Sequence, residues 1–248
     1  MQLSGNTILI TGGSSGIGLE LAKQFIAREN KVLICGRSKD KLLSAQQQIP
    51  QLEIFQCDLA DPQQCQNLAD WINQNHPELN VLINNAAIVY NGRFISDAPV
   101  LEFAENEIAT NLLAPIRLTH HLYPVLQKNT APQIINITTG LVFAPRADYP
   151  FYNATKSGLH AFTQGLRIQE AQSSVHIIEV MMPAVNTPWH KGNPPKIAIS
   201  PQRAVNEMLR ELEKGKTEIK IAKVKLLYLL SRIAPGFALQ KINHLNDA

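Results

Sequence analysis

A chain of 248 residues with 45% hydrophobic and 17% charged side chains has ample apolar material for a large core and lacks the polarity of a disordered segment. Its 23 basic and 20 acidic residues are scattered and sum to +3, so no basic block tracks a phosphate backbone and nucleic acid is excluded as a partner. The length suits one domain, because α/β folds run to about 250 residues around a single sheet.

The N-terminus passes through Ser4-Gly5-Asn6 straight into an apolar strand over 7–11. No basic region, long apolar stretch or small-residue cleavage site precedes that strand, which predicts a chain that is not exported. Gly12-Gly13-Ser14-Ser15-Gly16-Ile17-Gly18 then opens a helix to about residue 29. Glycines at 12, 16 and 18 permit a tight turn and close backbone approach, and the free N–H groups of a helix start suit a pyrophosphate. The spacing is G-x-x-x-G-x-G rather than G-x-G-x-x-G, and a turn that binds nothing is the bland alternative.

The second strand, 31–35, ends in Gly36-Arg37-Ser38. A dinucleotide-binding unit places an acid near this point for the ribose 2′-OH, or an arginine for a 2′-phosphate. The acid is missing and Arg37 supplies a fork of donors, which favours NADP(H) over NAD(H); the alternative is a solvated arginine starting a loop. A third strand, 53–57, runs into Asp58-Leu59, and Asp61-Pro62 starts a helix. Asp58 could accept from an adenine amino group or cap its own loop. The fourth strand, 80–83, stops at Asn84-Asn85-Ala86-Ala87, small and amide residues that let a ligand lie at a strand's carboxyl end.

One long helical stretch, about 99–127, carries Asn111 and Pro115 in its middle, and the proline should free a carbonyl near 111 and kink the element. The fifth strand, 134–137, ends at Thr138-Thr139. The next helix carries Tyr152 and Lys156, one turn apart on one face, so that a cation beside a phenol favours phenolate and tunes a general acid. The sixth strand, 175–181, leads into Pro183-Ala184-Val185-Asn186-Thr187 and a proline-rich loop, 188–200, long enough for a substrate lid. A seventh strand, 218–222, precedes an apolar tail, 223–248, which either packs over the active site or a second subunit, or touches a membrane surface. Lys220, Lys223, Lys225, Arg232 and Pro235-Gly236 interrupt the apolar run 219–239, which falls short of the ~20 apolar residues of a membrane span.

Strands alternating with helices predict a single Rossmann-type, doubly wound parallel sheet of about seven strands with helices on both faces. Cys35, Cys57 and Cys65 form no C-x-x-C pair or even framework and read as reduced core residues of a cytoplasmic protein. His, Cys and acidic residues show no metal-ligand spacing.

Thr11-Gly-Gly-Ser-Ser-Gly-Ile-Gly18, Asn84-Asn85-Ala86, Asn111 and Tyr152-x-x-x-Lys156, in this order and at these intervals, resemble the short-chain dehydrogenase/reductase family over about residues 4–190. The tail from Tyr228 to Phe237 is also similar to the subgroup of reductases named after the teichoic-acid D-alanylation operon. The resemblance implies that Tyr152 protonates the substrate oxygen as hydride arrives from the nicotinamide. It implies that Lys156 lowers the tyrosine's pKa and holds the nicotinamide ribose, that Thr139 stands at the substrate-orienting serine, and that Asn111 anchors a water. It further implies that Gly12, Gly16 and Gly18, with Ser14, Ser15 and Ile17, wrap the pyrophosphate. Asp58 and Leu59 would flank the adenine, and Asn85, Ala86, Pro183, Val185 and Thr187 would lie along the cofactor, with Thr187 at the carboxamide.

Two departures matter: threonine replaces serine at 139, and Ala87 replaces a glycine. The expected protein is an NADP(H)-dependent carbonyl/alcohol oxidoreductase acting on a small molecule as a homodimer or homotetramer, with no metal. A low-turnover NADP(H) sensor or scaffold is the alternative that Thr139 motivates, and a lipid-carbonyl reductase at a membrane surface is the one that the tail motivates.

Overall fold

A computed structural model describes residues 2–95, 99–190 and 192–244. Parts of three predicted regions lie outside the described residues: 96–98, which hold Asp97 of the expected pocket-shaping stretch, Lys191 of the substrate loop, and the end of the tail, 245–248.

The apolar runs form seven parallel strands, in chain order β1 Thr7–Thr11, β2 Lys31–Gly36, β3 Glu53–Gln56, β4 Val81–Asn84, β5 Gln133–Thr139, β6 His176–Met182 and β7 Glu218–Lys220. They lie in the order β3-β2-β1-β4-β5-β6-β7. Every side chain of β1, β4 and β5 is buried, as a parallel sheet covered on both faces requires. Successive residues alternate between two cores. Ile8 and Ile10 pack with Ile34, Ile83 and Val180 beneath α1 (Gly16–Ile26), α2 (Lys39–Gln48) and α7 (Pro201–Glu213). Leu9, Leu33 and Leu82 face the opposite layer, which contains α3 (Pro62–Asn75) and α5 (Ala114–Leu126).

Local chemistry sets several helix starts. Asp61 caps α3 by accepting from the N–H groups of Gln63 at 2.8 Å and Gln64 at 3.4 Å, and Pro62 fills a first-turn position where no amide is missed. Ser200 and Pro201 repeat the device on α7. The three cysteines are buried and form no disulfide, and burial pushes the Cys35 thiol up to about 12, which makes it inert.

The long helix expected over 99–127 is not continuous. It divides into α4 (Val100–Ile108), a π-helical turn (Ala109–Leu113) and α5, and Pro124 also lies inside α5. Pro115 has no N–H for the carbonyl of Asn111, and the chain widens so that the N–H of Ala114 reaches the carbonyl of Ala109 instead. Strand β5 runs two residues beyond its expected end, because Thr138 and Thr139 stay in register with Met181 and Met182. The apolar tail forms two helices, α8 (Val224–Ile233) and α9 (Pro235–Asn243), broken where Pro235 cannot continue the first.

The chain runs from β1 outward to β3 and then returns to β4 on the other side of β1. Their carboxyl ends therefore flank a crevice at the point where the winding reverses, the position at which open α/β sheets bind ligands.

Candidate active site

A cavity of about 700 Å³ opens at those carboxyl ends. At one end the glycine loop lies against the β4 terminus. Thr11 ties the two together: its Oγ1 accepts from the N–H groups of Asn85 and Ala86, both at 3.0 Å. Asn85 Nδ2 returns a bond to the Thr11 carbonyl at 2.9 Å. Gly12 and Gly16 have φ of +64° and +56°, the left-handed region that glycine adopts without strain. A Cβ on Gly12 would stand 2.9 Å from the Ala86 Cα, and one on Gly18 would stand 2.3 Å from the Gly12 carbonyl oxygen. These glycines hold the loop flat, with the first turn of α1 behind it, a cradle that fits a pyrophosphate.

Of the residues singled out from the sequence, Ser14, Ser15, Gly16, Ile17, Arg37, Asp58, Leu59, Asn85, Ala86, Pro183, Val185 and Thr187 line this cavity with Gly12. Gly18 and Asn111 stand behind its wall. Asp58 accepts from the N–H of Ala60 at 3.0 Å, so it caps its own loop while facing the cavity. Ala87 lies outside the left-handed region, and its backbone has no need of the missing glycine. Lys41, on the first turn of α2, lines the cavity beside Arg37 and Ser38. Lys41 did not stand out in the sequence, where its place three residues after the cap Ser38 was the one signal.

At the other end α6 (Pro150–Gln169) brings Tyr152 and Lys156 to the terminus of β5. Lys156 is only 2% exposed, and its Nζ donates to the Ile137 carbonyl at 2.8 Å. Burial lowers its pKa to about 8, opposed by the charges of Glu179 and Glu107. The Tyr152 phenol moves opposite to the expectation from spacing. Burial pushes it up, the hydroxyl of Thr139 pulls it back by hydrogen bonding, and the charges of Glu107 and Tyr149 add to the rise. The reason is geometric: the ammonium points at the β5 backbone, 6.0 Å from the phenol ring centre, and desolvation dominates.

Asn111 is fully buried in the π-helical turn and clamps Ile88, accepting from its N–H and donating to its carbonyl, both at 2.8 Å. Glu107, one turn earlier, accepts from the N–H of Tyr90 at 2.5 Å and from Asn111 at 3.3 Å. Burial raises its carboxyl to about 7. Glu179, wholly buried in β6, accepts from the Thr138 hydroxyl at 2.6 Å and lies 2.9 Å from Nδ1 of His160. Neither carboxylate stood out in the sequence; an acid inside Ile177-Ile178-Glu179-Val180 was the only signal. Trp189, in a short 3-10 turn of the predicted substrate loop, packs 5.5 Å from the Tyr152 ring and 5.6 Å from that of Tyr149. Among the described residues no group of three or more His, Cys, Asp or Glu side chains gathers as a metal site.

The assembly can bind an extended anionic dinucleotide and present a hydroxyl acid beside it. The family model for short chain dehydrogenases matches residues 6–197. The chain is 42% identical over 224 residues to the uncharacterized oxidoreductase DltE of Bacillus subtilis, an alignment that covers 88% of this chain and 89% of that protein. It is 32% identical over 248 residues to a fatty acyl-CoA reductase of Acinetobacter baylyi, covering 94% of this chain and 82% of that protein. A short chain dehydrogenase from Burkholderia cenocepacia, solved in complex with NADP, shares the fold with a TM-score of 0.86 at 22% identity, over 98% of this chain and 99% of that one. The chain belongs to the short-chain dehydrogenase/reductase family of nicotinamide-dependent oxidoreductases, in its DltE-like subgroup.

Proposed function

We propose that the protein interconverts a carbonyl and an alcohol with NADP(H), using Tyr152 as the general acid and base. The observation that carries this reading is the convergence of Tyr152, Thr139 and Lys156 on the cavity that continues into the glycine cradle. When bound, the nicotinamide supplies or accepts the hydride. The chain's own residues handle the proton. Tyr152 gives its phenolic proton to the substrate oxygen, and the hydroxyl of Thr139 orients that oxygen. Lys156 keeps a positive charge next to the site at neutral pH, because its lowered pKa still lies near 8. Asn111 acts as a positioning residue by fixing Ile88 in the cavity wall.

Preference for NADP(H) is supported by two cations, Arg37 and Lys41, at the end of the cavity remote from Tyr152, with no acid on the β2 terminus. Gly36 adds room there, since a Cβ on it would meet nothing nearer than 3.6 Å. Fluorescence titration of the purified protein should give tighter binding of NADPH than of NADH, and Arg37→Asp should reverse the order. A bidentate charge-assisted contact is worth about 1.5–3 kcal/mol, so the loss of NADPH affinity should be roughly 10- to 150-fold. Equal binding of both nucleotides before and after substitution would remove the NADP(H) assignment. Nucleotide binding without turnover of any carbonyl compound would favour the sensor reading instead.

A homodimer or homotetramer is the proposed assembly. The outer faces of α4, the π-helical turn and α6 leave Leu101, Ile108, Leu113 and Ile168 exposed, apolar surface that suits a second copy. Sedimentation equilibrium giving a monomer at micromolar concentration would dismiss it.

A further inference from the structure

Helices α8 and α9 form one wall of the catalytic cavity. Leu226, Leu227, Leu230 and Phe237 line it from the inside. Outside the cavity lining, the same pair of helices leaves Leu229 52%, Ile233 73% and Leu239 45% exposed, while Leu226 and Phe237, each 55% exposed, also line the cavity. Positions 226, 229 and 233 follow helical spacing and make one stripe along α8, with Leu230 beside it. On a helical wheel Lys225 and Arg232 flank one side of that stripe and Lys223 the other.

From 219 to 244 the sequence holds five basic residues, Lys220, Lys223, Lys225, Arg232 and Lys241, and no aspartate or glutamate. Lys220 pairs with Glu218, and Lys225 with Glu207 at 3.1 Å. Lys223, Arg232 and Lys241 have no acidic partner among the described residues, and Lys223 and Lys241 sit on the cavity's rim. Among the described residues Asp58 is the one acid that lines the cavity, at the end with Arg37 and Lys41. Leu226 belongs both to the α8 stripe and to the cavity lining, so the exposed face and the cavity wall adjoin there.

An apolar stripe between cations, on a helix too short to span a bilayer, has the chemistry of an element that lies in the headgroup plane of an anionic membrane. Among the described residues no helix is long and apolar enough to cross one. We infer that the α8–α9 face docks on an anionic lipid surface and that the cavity behind it takes a carbonyl compound with a long aliphatic chain, drawn from the bilayer between the two helices. The substrate half of this inference rests on the carbonyl reading proposed above. Charge complementarity selects the lipid surface over a second copy of this chain, whose matching face would bring the same cations together.

The docking half is tested by sedimentation of the full-length protein with vesicles of phosphatidylcholine alone and of equimolar phosphatidylcholine and phosphatidylglycerol. The protein should pellet with the anionic vesicles only. Lys223→Gln with Arg232→Gln should weaken the partition by about 25-fold, at roughly fivefold for each basic residue near the surface. Leu229→Ser with Ile233→Ser changes exposed positions outside the cavity lining, so it should abolish pelleting while leaving the fold intact. The substrate half is read from NADPH oxidation with butanal in solution and with hexadecanal in the anionic vesicles. Hexadecanal should be reduced with at least tenfold higher kcat/KM, and the Leu229→Ser, Ile233→Ser protein should lose that advantage while it reduces butanal normally. No pelleting, equal pelleting with both vesicles, or a dimer whose formation buries this face would overturn the docking. Equal use of the two aldehydes would overturn the substrate class. Pelleting without reduction of any aldehyde would support the docking and sink the carbonyl reading, so the two failures are distinguishable.

Discussion

Replacing Tyr152 by phenylalanine should leave NADPH affinity within about twofold of the wild type and slow carbonyl reduction by about 10²–10⁴-fold, the range that general acid catalysis contributes. The ring survives the substitution, so its packing against Trp189 and Tyr149 survives too. Only the proton at the substrate oxygen is removed. Stopped-flow single turnovers separate this from a loss of binding, and a variant that turns over at the wild-type rate would strip Tyr152 of its role. The same assay read against pH tests Lys156. Its folded pKa lies below the ordinary 10.5, at about 8, so the ammonium is lost as pH rises past that value. Because kcat/KM for NADPH reports groups of the free enzyme, it should fall on the alkaline side with a midpoint near pH 8, and Lys156→Arg should remove that limb.

Gly18→Ala should be the most damaging single methyl in the chain. Its Cβ would stand 2.3 Å from the Gly12 carbonyl oxygen and 2.6 Å from Asn85 Nδ2, and the first of these is backbone that cannot swing away. Overpacking of this kind costs about 1–3 kcal/mol, roughly 2–12 °C in Tm for a domain of this size. Relief requires the loop to leave the β4 terminus, so nucleotide binding should drop with stability. Gly165→Ala is the control. A Cβ there meets nothing within 4 Å in the C-terminal part of α6, and alanine should stabilise the helix by about 0.5–1 kcal/mol. Thermal denaturation with and without NADPH reads both variants. An unchanged Tm and an unchanged NADPH shift in Gly18→Ala would show that the loop is not held as described.

Much of the site was legible in the sequence because it is built from local patterns. The glycine loop follows a strand and opens a helix, Arg37 ends the next strand, and Tyr152 and Lys156 are one helical turn apart; each relation spans a few residues, which spacing alone conveys. The strands were legible for a related reason, since a sheet covered on both faces writes each strand as an unbroken apolar run. Pro115 marked the right place in the 99–127 segment, yet whether its missing N–H produced a bend or a wider turn depended on what Asn111 and Glu107 found to bond across the chain, at Ile88 and Tyr90.

The sequence by itself determined the fold class and the family, and it placed the glycine loop after β1 and Tyr152 and Lys156 one turn apart on one helix. Tertiary structure alone decided the electrostatics around them. Glu179 lies 40 residues from Thr139 in the chain, yet β5 and β6 pair side by side, and α6 sets His160 and Lys156 over them; no sequence interval encodes that proximity. The direction of the Tyr152 shift was likewise undecidable from spacing, because a cation four residues away counts for less than the water that burial removes. The tail is the clearest division. Its apolar and basic composition could be read off directly, while its position as a wall of the cavity, with one face inward and one outward, exists only once α8 and α9 have packed against the sheet's end.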